Sequence, residues 1–152
     1  MLLKIRNMNL SRTLYIYITY PFRLRHRKGY GVQSPWAYEL VRDVLFEKLH
    51  YYAYEEQNLR SEPERQLWRL RNRFRNDELI YVSPLDDAEK IYEETAQVAD
   101  ERTYLVVDGL QGKNADLWKR VLTDSRATVT FDLMDRGLIT FDKKRIKQNY
   151  IL

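Results

Sequence analysis

Two short apolar runs, Leu79-Ile80-Tyr81-Val82 and Tyr104-Leu105-Val106-Val107, constrain this chain more than any other feature. A turn signal closes each run, Ser83-Pro84 after the first and Asp108-Gly109 after the second. Both are apolar throughout rather than alternating, which is the pattern of a buried strand. Between them Ala88, Ile91, Tyr92, Thr95, Ala96 and Ala99 recur at helical spacing. Asp86 and Asp87 stand at the positive end of that helix. A connection of about twenty residues that holds a helix implies parallel pairing with a right-handed crossover. The chain is therefore expected to be an α/β protein.

The pattern before this unit is helical. Ser34-Pro35 is a helix start, with Ser as cap and Pro in the first turn. Ala37, Leu40, Val41, Val44 and Leu45 follow on one buried face. Ser61 and Glu64 have capping-box spacing, and Leu67, Leu70 and Phe74 continue that helix as an apolar stripe. After the unit, Leu117, Trp118, Val121 and Leu122 mark another helix. Val129, Phe131 and Leu133 then share one face of a strand, and Thr128, Thr130 and Asp132 the other. Asp135-Arg136-Gly137 is read as a turn that uses Gly for a positive φ, with Leu138–Phe141 running back from it. Gln148–Leu152 is a candidate last strand, completing an antiparallel tail on a parallel sheet. One domain is expected over residues 1–152, with a helical, basic part at 1–76 and an α/β part at 77–152.

Charge divides at the same place. Residues 1–76 hold 15 Lys+Arg against 7 Asp+Glu, a net +8, and residues 77–152 hold 11 against 15, a net −4. Such asymmetry fits either two halves that attract each other or a polyanion partner. With no Cys, the chain has no disulfide framework, thiolate nucleophile or Cys-ligated zinc. No stretch has the roughly 20 apolar residues of a membrane span. Leu14–Phe22, the most apolar early run, has no small-residue cleavage site after it, so a signal peptide is not expected and a cytoplasmic location is.

Two segments resemble a known family. Residues 25–41, Arg25-His26-Arg27-Lys28-Gly29-Tyr30-Gly31-Val32-Gln33-Ser34-Pro35-Trp36-Ala37-Tyr38-Glu39-Leu40-Val41, are similar to an N-terminal stretch of certain bacterial class I S-adenosylmethionine-dependent methyltransferases. Tyr51–Glu56 fits the same group. Val106-Val107-Asp108-Gly109-Leu110 followed by Trp118 looks like the family's fifth strand and next helix, and Thr128–Phe141 like its closing hairpin. The resemblance covers roughly half the chain. It implies a truncated Rossmann-like methyltransferase sheet, parallel strands plus a C-terminal antiparallel hairpin, with an N-terminal helical region.

The departures bear on activity. Family members carry a Gly-rich turn after their first strand, where backbone must approach the cofactor closely. No G-x-G-x-G or G-x-G-x-x-G occurs here. The expected first strand, Leu79–Val82, runs into Ser-Pro-Leu-Asp-Asp, and Pro84 offers no N–H. Two to three strand–helix units of about 30 residues each are missing relative to a complete domain. Gln33 replaces the His of the family motif. The resulting expectation is a methyltransferase-like protein that has lost S-adenosylmethionine binding, carries no cofactor and acts as a non-catalytic binding protein. An active methyltransferase with a remodelled S-adenosylmethionine pocket is the alternative, and a basic nucleic-acid-binding module the second.

The candidate residues follow from these readings. Asp108 and Gly109, at the carboxyl end of a buried strand, are where open α/β sheets place ligand groups. Asp108 is equally read as an acid that caps or orders the following turn, because no second acid or base stands at a readable spacing. No catalytic residue is assigned. His26 and His50 have no metal-site or relay spacing, so no metal is expected. Arg23, Arg25, Arg27 and Lys28 cluster among aromatics, and Arg65, Arg69 and Arg73 stand four apart on one helix face. These are candidate contacts for a protein or nucleic-acid partner, against the plainer reading of solvated faces and salt bridges. Tyr15, Tyr17 and Tyr20 suit a self-association surface, which makes a homo-oligomer a further possibility.

Overall fold

In the computed structural model, which describes residues 10–75 and 78–152, the helical half precedes the sheet. The composition change at Asn76–Asp77 lies outside the described residues. Helix α1 spans Leu10–His26. Helix α2, Pro35–Leu40, starts as its residue types predict, with the Ser34 hydroxyl accepting from the Ala37 amide. It runs on into a π-helical turn at Val41–Leu45. Helix α3 is Tyr52–Glu56 and α4 is Glu62–Arg73. Both halves of the Ser61–Glu64 capping box form at the start of α4. Phe74 leaves the helix in an extended conformation and stacks on Tyr104 at 3.7 Å between ring centroids.

The strands are β1 Leu79–Val82, β2 Tyr104–Asp108, β3 Val129–Asp132, β4 Arg136–Thr140 and β5 Gln148–Ile151. Helix α5, Ala88–Val98, joins β1 to β2, and α6, Ala115–Thr123, joins β2 to β3. The sheet order is β1-β2-β4-β3-β5. β1 pairs parallel with β2, as the strand–helix–strand reading requires. The end of the sheet differs from an antiparallel tail. Only β4 is antiparallel, it lies inside the sheet between β2 and β3, and β5 returns to pair parallel with β3.

Pleating sorts the core into two faces. Val106, Phe131 and Leu138 point at α2, the π turn and α4, where Leu40, Val41, Leu45 and Leu70 meet them. Leu105, Val107 and Ile139 point at α5 and α6, against Tyr92, Trp118 and Val121. The result is a three-layer α/β/α arrangement, which is why β2 reads as a continuous apolar run.

The hairpin after β3 corrects one expectation. Met134, not Gly137, takes the left-handed position, at φ 75°. Gly137 lies inside β4 opposite Val107 and Asp132. Its lack of a side chain admits the Trp118 ring, into which any Cβ there would collide. Arg136 is thereby a strand residue, not a turn residue.

Helix α1 packs against β5. His26 Nδ1 lies 2.9 Å from the Ile151 carbonyl. Arg12 and Arg23 point inward from α1 onto Asp132 at the end of β3. Asp132 also accepts from Trp118 Nε1 at 3.2 Å and from the Met134 amide at 3.0 Å. Arg23, fully buried, donates as well to the Asp132 and Leu152 carbonyls. Burial pushes the Asp132 carboxyl up, but the two guanidiniums prevail and hold it below the usual carboxylate range. Among the described residues, no helix is long and apolar enough to cross a membrane.

Candidate binding cleft

A cleft of about 660 Å³ opens between the helical half, the carboxyl end of β2 and the amino end of the antiparallel β4. The end of α1 and the loop after the π turn form its upper walls, with Arg27, Lys28, Phe46 and His50. The first turns of α4 supply Arg65, Gln66 and Arg69, and the strand ends supply Asp108 and Arg136. Open α/β sheets carry their ligand crevices at this end.

Asp108 is at the base, but it is already engaged. It is the register partner of Arg136. Arg136 Nε donates to Oδ1 at 2.6 Å and Nη2 to Oδ2 at 2.8 Å, a two-point ion pair. The Tyr81 hydroxyl donates to Oδ2 at 2.9 Å. Burial and this bond to a carboxylate both raise the Tyr81 hydroxyl above its ordinary value. The third guanidinium nitrogen of Arg136 donates to the Pro63 carbonyl at 2.7 Å, tying the sheet to the start of α4. Both carboxylate oxygens are thus occupied, and a ligand reaching Asp108 would have to displace Arg136 or Tyr81. Asp108 does not cap α6 either. Asn114 stands at that cap and donates its side-chain amide to the Asp108 carbonyl.

Gly109 does not line the cleft. At φ 83° it turns the chain out of β2, and its carbonyl accepts from the Gly112 and Asn114 amides. The turns after β1 and β2 are fastened together on this side. Asp86 Oδ2 accepts from the Ser83 amide at 2.7 Å, and Lys113 Nζ donates to the Asp86 carbonyl at 2.7 Å.

The predicted cations separate into two kinds. Arg23 and Arg69 are buried and bound inside the protein, so neither is a surface contact. Arg69 donates to the Val44 and Leu45 carbonyls at the end of the π turn and to the Tyr54 hydroxyl, and pairs with Glu62. Helix-end carbonyls lack partners of their own, which is why a guanidinium is worth burying there. Arg27, Lys28 and Arg65 do converge on the cleft, joined by Lys48. Burial lowers the Arg27 guanidinium from its ordinary value. Arg25 lies apart, in a shallow pocket with Phe22, His26 and Tyr30. Arg73 is exposed and away from the cleft.

The acids of the cleft are spent internally. Asp108 and Glu62 are paired with Arg136 and Arg69. Glu47 accepts from the Lys48 and Leu49 amides, and Asp135 from the Gln111 amide. Arg27, Lys28, Lys48 and Arg65 have no ion-pair partner among the described residues. Sequence reasoning missed Tyr81 and Arg136 here. Their roles depend on which residue of β4 stands opposite Asp108, which no local pattern encodes. Among the described residues, no group of three or more His, Asp or Glu could hold a metal ion.

Fold and cleft together define an α/β protein with a mixed, open five-stranded sheet and a basic crevice at the strand ends. Comparison with protein-family models, with curated proteins and with solved structures finds no match to this chain.

Proposed function

We propose that the chain is a methyltransferase-like protein that no longer binds S-adenosylmethionine and acts as a non-catalytic binding protein through the cleft. The Asp108–Arg136 pair is the observation that carries this reading. The acid best placed to meet a cofactor is neutralised by a cross-strand guanidinium that would have to be displaced first. The fastened Ser83–Asp86 and Lys113 turns support it, since they leave no free Gly-rich backbone to cradle a cofactor. A thermal-shift titration with S-adenosylmethionine and S-adenosylhomocysteine tests it. A ligand at 100 times its dissociation constant would add about 2.7 kcal/mol. A flat response up to millimolar ligand is expected, and a saturable rise of several degrees would restore the active-enzyme reading.

A second reading, the nucleic-acid module, draws on the four unpaired cleft cations. Its affinity for single-stranded oligonucleotides should fall steeply with salt. Binding unchanged by Arg65→Gln with Lys48→Gln would remove it.

A further inference from the structure

Helix α1 is built inside out. Its buried positions are Arg12, Ile16 and Arg23, two of them charged and bound to Asp132. Its opposite face carries Leu10, Leu14, Tyr17, Ile18 and Pro21, at spacings of four, three, one and three that keep one side of a helix. Leu10 is 86% exposed, Leu14 62%, Tyr17 75% and Ile18 65%. Phe22 and Leu24 extend the patch at the end of the helix, both exposed. An apolar strip running about 20 Å along a helix, at 1.5 Å per residue, marks an interaction surface.

Charge decides what covers it. The first 38 residues contain seven Lys or Arg and no Asp or Glu. Arg12 and Arg23 are consumed by Asp132, while Arg25, Arg27 and Lys28 at the end of α1 have no ion-pair partner among the described residues. A second copy laid on α1 would bring the same cations and no acid to meet them. An anionic lipid surface meets both demands at once. Its headgroups take Arg25 and Lys28, and its acyl boundary takes Leu14, Ile18 and Phe22. Tyr17 and Tyr20 have the apolar ring and polar tip that suit that depth. We infer that α1 docks the protein flat on an anionic membrane surface. This inference rests on α1 and on Lys28 just beyond it, which also lines the cleft, and it stands or falls independently of cofactor binding there.

Co-sedimentation of the full chain with phosphatidylcholine vesicles, with and without phosphatidylglycerol, tests it, alongside sedimentation velocity without lipid. Wild type should pellet with anionic vesicles at least tenfold more strongly than with neutral ones, and lose that preference in high salt. Leu14→Ser with Ile18→Ser should weaken binding at least tenfold. Both side chains face solvent, so melting should be unchanged. Arg25→Gln with Lys28→Gln should abolish the preference for anionic lipid. No pelleting, or equal pelleting of wild type and both variants, would overturn the inference. So would a dimer that Leu14→Ser with Ile18→Ser dissociates in a chain that ignores vesicles. That result would assign the face to a second copy, as the tyrosine reading expects.

Discussion

Arg136 and Asp108 stand directly opposite each other across the β2–β4 pairing and are joined by two hydrogen bonds, at 2.6 and 2.8 Å. Their side chains are 8% and 17% exposed, so the pair is nearly desolvated. Removing Arg136 leaves the Asp108 carboxylate with little water and only the Tyr81 hydroxyl of its two side-chain partners. Arg136→Ala should therefore cost about 3 kcal/mol in urea denaturation. Asp108→Leu combined with Arg136→Met should recover most of it, because a well-packed apolar pair has no desolvation debt. A double variant no more stable than Arg136→Ala would show that the Pro63 contact, not the ion pair, holds the cleft wall.

Gly137 and Trp118 form the second dependency. A side chain at 137 would enter the indole ring. Overpacking of this kind costs about 1–3 kcal/mol, so Gly137→Ala should lower the melting temperature by several degrees. Trp118→Leu should cost less in the Gly137→Ala background than in wild type. Strictly additive losses in that cycle would show that the two positions do not share space.

Asp132 links stability to acid. Its carboxyl is below the usual range in the folded protein, so the stability it supplies is present above its unfolded value near 3.8 and lost as pH falls through the folded one. Asp132→Asn should cost about 3 kcal/mol at pH 7, because Arg12 and Arg23 then lose the carboxylate they share in the interior. Its stability should fall less than that of wild type between pH 4 and pH 2. A residual slope is expected from Asp86, Asp100 and Asp124, which hydrogen bonds also hold low. Urea midpoints at the two pH values separate the variant from wild type.

Tyr92 does the same at the alkaline end. Burial, then its hydrogen bond to Asp124, pushes the hydroxyl well above its ordinary 10. A raised folded value supplies stability below pH 10 that is lost as pH rises toward that value. Tyr92→Phe should cost about 1 kcal/mol at pH 7 and show a shallower loss above pH 10. Parallel alkaline denaturation curves would show that Tyr92 titrates as it does in the unfolded chain.

Much of the scaffold was readable in advance because its causes are local. The Ser34 and Ser61 caps, the Ala37–Leu45 face and the β1–α5–β2 unit each follow from residues within one or two turns of each other. The cleft was legible in part. Asp108, Arg27, Lys28 and Arg65 are in it, but Arg69 and Arg23 are not surface contacts, since helix-end carbonyls and Asp132 claimed them first.

Residue types and spacing by themselves determined that two buried parallel strands flank a helix, and that a basic helical half precedes an acidic α/β half. Helical period, capping and strand length act over a few residues, so one sequence suffices to read them. Only the tertiary structure decided that β4 enters between β2 and β3, which sets Arg136 against Asp108 and Gly137 against Trp118. It alone decided that α1 turns its arginines inward and its leucines out. The Arg136–Asp108 and Arg12–Asp132 pairings behind these outcomes join residues 28 and 120 apart in the chain. Burying a charge is tolerable only where its counter-charge waits, and that place exists only once the sheet has assembled.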